Sequence, residues 1–220
     1  MASKTILSEN QKKIFQAISS DRLFGKNFYL TGGTALAEFY LKHRISEDLD
    51  FFSEKEFDSQ AVFVFFKKNQ KSLKIKKIDY QQSFNRNLFF LHLNNDIIKT
   101  EFTYFPFPRI ETALRKNGME VDSVLDIAVN KVFTIYQKAR ARDFIDLYFI
   151  IKKYKFNLED LIKKAKIKFD WHIDSIQLGS QFFKAQGVKD FPRMIVKEGR
   201  KGWQKFFLDE AKALEKKILN

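Results

Sequence analysis

The 220-residue sequence contains no cysteine, three histidines, three prolines and eight glycines. The absence of cysteine excludes a disulfide scaffold, thiolate zinc sites and thiol catalysis. His43, His92 and His172 are too few and too scattered to indicate a zinc site. The apolar runs are too short or too interrupted to span a bilayer, and residues 1–13 are polar and show no targeting signal. These features predict a cytoplasmic protein with no membrane partner.

Aromatic and basic residues are abundant instead. The 26 Phe, 7 Tyr and 2 Trp are incompatible with a disordered chain. Lys and Arg number 40 against 27 Asp and Glu, a net charge of +13, with 17 basic and 12 acidic residues (+5) in residues 1–110 and 23 and 15 (+8) in residues 111–220. A positive field favours polyanions such as nucleic acid. The same lysine content also suits a merely soluble protein from an AT-rich genome, so charge alone leaves both interpretations open.

Hydrophobic periodicity predicts an α+β first half and a helical second half. In the first half, we predict helices over 8–19, from Leu36 to His43 and over 58–69, and strands at Phe28–Leu30, Asp48–Phe52, Leu73–Tyr80, Asn87–Leu93 and Asp96–Phe105. After Pro108 the pattern predicts only helices, over 121–136, 144–153, 158–166, 175–186 and 203–218. The shift in composition near residue 110 predicts two domains, 1–110 and 111–220.

A glycine turn joins the first predicted strand to the next helix. Gly32 and Gly33 allow a ligand to approach the backbone without a Cβ in the way. The helix start offers free N–H groups and a positive dipole end, and Thr34 adds a hydroxyl, which together suit a phosphate. A Gly-Gly turn also commonly does no more than join two elements.

Two aspartates lie two residues apart on the next predicted strand. Asp48 and Asp50 would therefore project from the same face. Adjacent carboxylates repel each other, and Mg²⁺ removes this cost because it takes hard oxygen ligands together with substrate phosphates. A solvated strand end is the simpler interpretation, but the apolar Phe51 and Phe52 indicate that the strand enters the core.

Two sequence blocks resemble the AbiEii/AbiGii-type nucleotidyltransferase toxins of the DNA polymerase β-like superfamily. The first block comprises 31–37 and 43–52, and the second comprises 126–131 and 140–148; the resemblance spans about residues 25–155. It implies a mixed sheet flanked by helices and followed by a helical domain. It also implies transfer of a nucleotide from an NTP with two Mg²⁺ ions, a tRNA 3′ end as acceptor and an antitoxin partner.

The resemblance also implies roles for further residues. Lys131, on an apolar helix, would reach the β/γ-phosphates, although a snorkelling surface lysine is the simpler interpretation without the family. Arg140 and Arg142 would grip phosphate, and Asp143 would orient a cation or cap the next helix. Asp146 is expected to be structural.

Three assignments depart from the family pattern or have alternatives. Gly33-Thr34 replaces the family's Gly-Ser, and Glu101 stands where the third metal-site carboxylate is commonly Asp, so Glu101 is either a base or a sheet residue. Arg44 would contact a phosphate or brace Asp48, whereas His43 is expected in the core.

Several positively charged segments are solvated surfaces by default. On the RNA interpretation, the lysines of 67–77, 163–168 and 197–205 would hold the acceptor backbone, with Trp171 or Trp203 stacking on a base. Two other functions remain open: nucleotidyl transfer to a small molecule or a protein, and RNA binding with a vestigial catalytic site.

Overall fold

The computed structural model describes residues 5–197 and 200–219, which form two compact units. One unit comprises the chain up to Tyr40, Ile45–Pro108 and Thr112–Ser123; the other comprises Leu41–Arg44, Arg109–Glu111 and the chain from Val124 onward. Residues 1–4 of the polar N-terminal segment, and 198 and 199 of the lysine-rich segment 197–205, lie outside the described residues. None of the helices in the described part of the chain could cross a membrane.

The first unit combines a mixed sheet with helices. Its elements are α1 (Glu9–Ser20), α2 (Arg22–Asn27), β1 (Tyr29–Thr31), α3 (Gly32–Ala35) continued by a π-helical turn (Leu36–Leu41), β2 (Leu49–Ser53), α4 (Ser59–Lys68), β3 (Lys77–Ser83), β4 (Arg86–His92), β5 (Ile97–Tyr104), β6 (Leu114–Lys116) and β7 (Met119–Val121). The strand order is β3-β4-β5-β2-β1-β7-β6. β2 is antiparallel to β1 and parallel to β5, so the predicted mixed α+β fold is confirmed.

One face of this sheet is aromatic. Phe51 and Phe102 are fully buried and stack with ring centroids 5.0 Å apart. Phe66 of α4 meets Phe102 edge-on at 6.1 Å, and Phe24 of α2 does so at 6.0 Å. Because side chains alternate along a strand, residues 50 and 101 project from the opposite face. The aromatic core thus fixes which face carries the carboxylates.

The second unit is helical. Its elements are α5 (Val124–Gln137), α6 (Ala141–Tyr154), α7 (Leu158–Phe169), α8 (Ser175–Phe183) with a 3₁₀ turn (Lys184–Gln186), and α9 (Arg200–Leu219). Asn157 and Asp174 cap α7 and α8 by accepting backbone hydrogen bonds. Phe144 packs on Phe207 at 4.8 Å, and Phe133 stacks on Phe169 at 4.0 Å, which closes the core of the unit.

The prediction that the chain is wholly helical after Pro108 is wrong for one segment. Strands β6 and β7 form a hairpin through Asn117 and Gly118, both with positive φ (49° and 87°). Asn-Gly is the preferred pair for a two-residue hairpin turn, so the signal was present in the sequence. The strands have only three residues each, too few to show a period of two. As β7 pairs with β1, the first unit extends to Ser123 instead of ending near residue 110.

A second difference concerns the helix after the glycine turn. The helical segment ends at Leu41, Lys42 adopts a left-handed φ of 55°, and His43 lies beyond it. The prediction that His43 continues the face of Leu36, Phe39 and Tyr40 is therefore wrong, because the π-helical turn changes the period. The expectation of a core histidine is confirmed, since His43 is 1% exposed.

Candidate active site

Two half-buried carboxylates stand at the start of β2. Asp48 directly precedes the strand, and Asp50 is its second residue. Asp50 lies in register with Thr31 of β1 on one side and with Glu101 of β5 on the other. Neighbouring residues in register project from the same face of a sheet, which brings Asp50 and Glu101 side by side. The predicted carboxylate face is therefore present in the first unit.

Gly32 lies directly against Asp50. Gly32 has a φ of 72°, and a Cβ added to it would lie 2.5 Å from Oδ2 of Asp50. A side chain at position 32 would meet both this steric clash and a backbone conformation that L residues rarely adopt. The turn thus forms a small cradle around the Asp50 carboxylate, with Gly33 half-buried next to it.

Thr34 contacts the protein rather than open space. Its hydroxyl is buried, lies 2.8 Å from the Ser46 hydroxyl and also contacts the carbonyl oxygen of Asp48. Gln11 of α1 donates to the carbonyl of Ser46 at 3.0 Å and to that of Glu47 at 3.0 Å. These contacts anchor the loop that carries Asp48. The role predicted for Thr34 toward a triphosphate stays a prediction.

Glu101 is held by an arginine. Arg86 of β4 donates from Nε to Oε1 at 2.7 Å and from Nη2 to Oε2 at 2.6 Å, and the Thr103 hydroxyl donates to Oε1 at 2.8 Å. Burial alone would raise the pKa of Glu101, but hydrogen bonds from Arg86 and Thr103 and the charge of Lys99 lower it. Glu101 is thus ionised, with both oxygens engaged.

Two cations neutralise the carboxylate face. Lys99 Nζ lies 2.8 Å from Oδ2 of Asp48. The pKa of Arg86 is raised by its hydrogen bonds to Glu101, against the effect of burial, and also by the charges of Asp50 and Asp48. Sequence reasoning missed both cations. Alternation offered a signal for one, because Lys99 and Glu101 are two residues apart on one strand.

The carboxylates fit a magnesium ion by donor chemistry. Asp48 and Asp50 offer hard oxygen atoms from one strand, and Gly32 leaves room beside Asp50. No group of three or more acidic or histidine side chains in the described part of the chain is placed to hold a metal. Mg²⁺ commonly takes one or two protein carboxylates and completes its shell with substrate phosphates and water. Such a site would depend on bound nucleotide.

Asp146 of α6 is the centre of a buried ionic network in the second unit. Arg44 donates to it from Nε at 2.7 Å and from Nη2 at 2.8 Å, Lys131 Nζ lies 2.7 Å away, and His43 Nε2 lies 2.8 Å away. Burial would raise the pKa of Asp146, but Arg44, Lys131 and His43 hold it well below its usual range. Arg44, predicted to contact a phosphate or brace Asp48, is therefore engaged by Asp146.

Lys131 lies between two aspartates. Its Nζ is 2.6 Å from Oδ1 of Asp143 and 2.7 Å from Oδ2 of Asp146, and the residue is 8% exposed. Burial would lower the pKa of Lys131, but Asp143 and Asp146 raise it, so the ammonium is charged. The structure does not place Lys131 on the surface as a snorkelling lysine. Oδ2 of Asp143 is buried and has no hydrogen-bond partner among the residues that the structure describes.

The other predicted contacts of the second unit differ in accessibility. Arg140 precedes α6 and is half-buried, and Arg142 in its first turn is exposed; neither guanidinium forms an ion pair with any described residue. Trp171 is 57% exposed. Trp203 is 3% exposed and stacks on Phe144, with ring centroids 6.0 Å apart. The prediction that Trp203 stacks on an RNA base is therefore wrong.

A family model, described as the AbiEii nucleotidyl transferase toxin of type IV toxin–antitoxin systems, matches residues 13–217. The Aquifex aeolicus (strain VF5) protein aq_aa25 is 35% identical over 147 residues. This match covers 65% of the present chain and 66% of the Aquifex protein, slightly less than two thirds of its length.

Two solved structures share the fold. JHP933 from Helicobacter pylori superposes with a TM-score of 0.61 at 22% identity, over 96% of this chain and 94% of that one. MenT4, the nucleotidyltransferase toxin Rv2826c from Mycobacterium tuberculosis H37Rv, superposes with a TM-score of 0.54 at 14% identity, over 92% of this chain and 82% of that one.

Proposed function

The chain belongs to the AbiEii family of nucleotidyl transferase toxins, as its two sequence blocks predicted, and on that premise we propose that it transfers a nucleotide from an NTP to an acceptor hydroxyl. The supporting observation is the carboxylate face of the first unit. Asp48 directly precedes β2, Asp50 is its second residue, Glu101 lies in register with Asp50, and the backbone at Gly32 leaves space for the Asp50 carboxylate. This arrangement suits a polyphosphate bridged to the protein by hard cations.

In the proposed reaction, the acceptor oxygen attacks the α-phosphorus in line with the leaving group. A bond forms between these two atoms, the bond from the α-phosphorus to the bridging oxygen breaks, and pyrophosphate leaves. The acceptor proton passes to water. The protein's contribution to such a transfer is positioning and stabilisation of charge rather than covalent chemistry.

Asp48 and Asp50 are the proposed magnesium ligands. Bound Mg²⁺ would supply Lewis-acid activation and neutralise charge on the phosphates. Lys99 and Arg86 are the counter-ions of this face in the free protein, and they lower its electrostatic cost before any ligand binds. Glu101, with both oxygens already engaged, is a positioning carboxylate that holds Arg86 at the site.

The proposed nucleotide contacts are the backbone at Gly32 and Gly33, the hydroxyl of Thr34, and the side chains of Lys131, Arg140 and Arg142. Arg140 and Arg142 suit this role because they are unpaired within the described chain and can each bind two phosphate oxygens. Asp143 is proposed to orient Lys131, which lies 2.6 Å from it, and Arg44 to contribute through Asp146.

We propose tRNA as the acceptor and a cognate antitoxin as the regulator, in the cytoplasm. The family description refers to type IV toxin–antitoxin systems, and the net charge of +13 suits a polyanionic acceptor. NTPs, Mg²⁺ and tRNA are all abundant in that compartment.

The proposal is tested with Asp48→Asn and Asp50→Asn, which keep the shape of the side chain and remove its charge. Each variant is incubated with each labelled NTP, total tRNA and Mg²⁺, and labelled RNA is measured. We expect transfer to fall by about 10²–10³-fold or more, while the melting temperature is nearly unchanged.

The matched control is Asp79→Asn on β3, where the carboxylate pairs with the exposed Lys77. This variant should retain wild-type transfer. Near-normal transfer by Asp48→Asn or Asp50→Asn would refute the assigned site. Labelling of a small hydroxyl compound in preference to tRNA would favour the small-molecule alternative.

A further inference from the structure

Five lysines surround an open depression at the end of α4. Lys67 and Lys68 belong to the last turn of the helix, and Lys71, Lys74 and Lys76 follow in the loop before β3. Gln70, Ile75 and Asn94 complete the lining. All five lysines are exposed, and the lining contains no acidic residue. We call this surface the lysine depression.

The lysine depression lacks internal counter-ions. None of its five lysines forms an ion pair with any residue in the described part of the chain. Other lysines do have such partners: Lys12 with Glu9, Lys163 with Glu159, and Lys205 with Asp209. Within the depression, Lys67 instead lies 5.5 Å from the ring centroid of Phe63. Five neighbouring like charges therefore produce a local positive potential that only an external anion can neutralise.

The loop that carries three of these lysines is preorganised. Buried Leu73 and Ile75 anchor it, and backbone hydrogen bonds of 3.0 Å and 2.9 Å join their N–H groups to Asn69 and Gln70. Lys74 adopts a left-handed φ of 56° between these two anchors. The backbone positions of the lysines are thus fixed before a ligand binds, which lowers the entropy lost on binding.

The lysine depression lies at the same end of the sheet as Asp48. The backbone N–H of Lys76 donates to the carbonyl oxygen of His92, and His92 pairs with Ile97 at the start of β5. Three residues further along β5, Thr100 pairs with Leu49, which directly follows Asp48. Three residues of a strand correspond to about 10 Å. The depression also lies about 14 Å to the side of β2, because β4 and β5 separate β3 from β2, and α4 packs on the aromatic face. An RNA chain bound in the depression would therefore have to pass around this end of the sheet to reach Asp48.

We propose that the lysine depression binds the sugar–phosphate backbone of the acceptor RNA. This inference rests on the proposed function and names where its acceptor is held. A free phosphate or a nucleotide would leave most of five positive charges unneutralised, whereas a polynucleotide supplies a series of phosphates. The depression has no aromatic side chain among its lining residues, and Gln70 and Asn94 offer amides for phosphate or 2′-hydroxyl groups. We therefore expect binding in the depression to be insensitive to the nucleotide sequence of the RNA.

The test compares two triple variants with the same change in net charge. One carries Lys68→Gln, Lys71→Gln and Lys76→Gln in the depression. The control carries Lys13→Gln, Lys26→Gln and Lys55→Gln, which are exposed and lie outside the three lysine segments predicted to contact RNA. Binding of fluorescein-labelled total tRNA to the full chain is followed by anisotropy over a series of salt concentrations, without NTP or Mg²⁺.

We expect the depression variant to bind tRNA about ten-fold more weakly at moderate salt. The slope of log K against log salt should fall by about two, since each lost phosphate contact contributes about 0.7–0.9. The control should change affinity by less than about two-fold, and both variants should keep the wild-type melting temperature. Equal losses in the two variants would overturn the proposal. So would displacement of tRNA by millimolar inorganic phosphate, because single anions would then account for the site.

Failure of this inference differs from failure of the proposed function. If the protein transferred nucleotides in a reaction that depends on Asp50 but bound tRNA without the lysine depression, only the depression would be refuted. If the depression bound tRNA but the Asp50→Asn variant retained transfer, the assigned active site would be refuted and the depression would stand.

Discussion

At the scale of single residues, Asp146 is the centre of a buried ionic network that the sequence alone did not predict. It was expected to be structural, and the structure surrounds it with Arg44, Lys131 and His43 in the second unit. Its side chain is 0% exposed. A buried carboxylate with several hydrogen-bonded cations is stable only as a complete set, because each removed partner leaves an uncompensated charge.

We expect Asp146→Asn to lower the free energy of unfolding at neutral pH by about 3–5 kcal/mol, since it leaves two buried cations with one carboxylate fewer. The pKa of Asp146 is lowered in the folded protein, so its contribution is complete above the unfolded value of about 3.9 and is lost as pH falls through the lower folded value. The difference between wild type and variant should therefore shrink below about pH 4.

This prediction is measured by urea unfolding at pH 7 and at pH 3–4. Asp209→Asn, at an exposed pair with Lys205, is the control and should cost less than about 1 kcal/mol. A cost for Asp146→Asn as small as that of the control would show that the network contributes little to stability.

At the scale of elements, α7 shows why a run of lysines is not one surface. Lys163 pairs with Glu159 and Asp160 at the exposed side of the helix. Lys168, five residues later, is buried with Nζ 2.7 Å from Oδ1 of Asp126. Asp126 also accepts hydrogen bonds from the backbone N–H groups of Ile110 and Glu111. The expectation that the whole segment 163–168 is a solvated surface is therefore wrong at Lys168.

We expect Lys168→Glu to destabilise the protein by more than about 3 kcal/mol, because it places a second carboxylate beside the buried Asp126. Lys164→Glu, on the same helix and half-buried, makes the same change of charge without a buried partner and should cost less than about 1 kcal/mol. Thermal unfolding followed by circular dichroism measures both variants. Equal melting temperatures would contradict the assignment of Lys168 as a structural residue.

At the scale of the whole molecule, the net charge is +13, and only some of the lysines lie next to an acidic side chain. Lys77, Lys99, Lys131 and Lys168 each lie within 3 Å of a carboxylate oxygen. The lysine depression has no such partner in the described chain. The net charge alone therefore does not locate a polyanion site, whereas the distribution of unpaired cations supports the proposed one.

We expect binding of tRNA to weaken steeply with salt, with a slope of log K against log salt of about −3.5 to −4.5 if all five lysines of the depression contact phosphates. Binding of an NTP should respond less, since it carries fewer charges and the proposed contacts are bridged by metal. Parallel titrations from 50 to 400 mM KCl, read by anisotropy for tRNA and by calorimetry for the NTP, measure the difference. A flat response for tRNA would indicate that its backbone is not the recognised feature.

The local sequence determined the strand that carries Asp50 and the approximate position of most helices. The alternation around Asp48 and Asp50, the glycines before α3 and the caps of α7 and α8 depend on neighbouring residues, and each was or could have been read from the chain. The missed β6–β7 hairpin belongs here too, because its Asn117-Gly118 turn is a local signal. The family blocks added the expectation of Lys131 and Asp143 as site residues, the family pattern outside the blocks added Glu101, and their roles stay predictions.

Only the tertiary structure decided which charges meet. Arg86 and Lys99 reach the carboxylate face because β4, β5 and β2 are adjacent in the sheet, and Arg44 reaches Asp146 across 102 residues of sequence. The fold also divides lysines that look alike in sequence. Lys168 is a buried partner of Asp126, Lys163 belongs to an exposed surface pair, and the lysines of the depression are unpaired in the described chain. Sequence patterns report on residues a few positions apart, whereas electrostatic energy depends on distance in space, and burial strengthens it. The sequence therefore predicted the chemistry of the carboxylate face and three candidate lysine segments, but only the folded structure showed the counter-ions of the face and which lysines of those segments are unpaired.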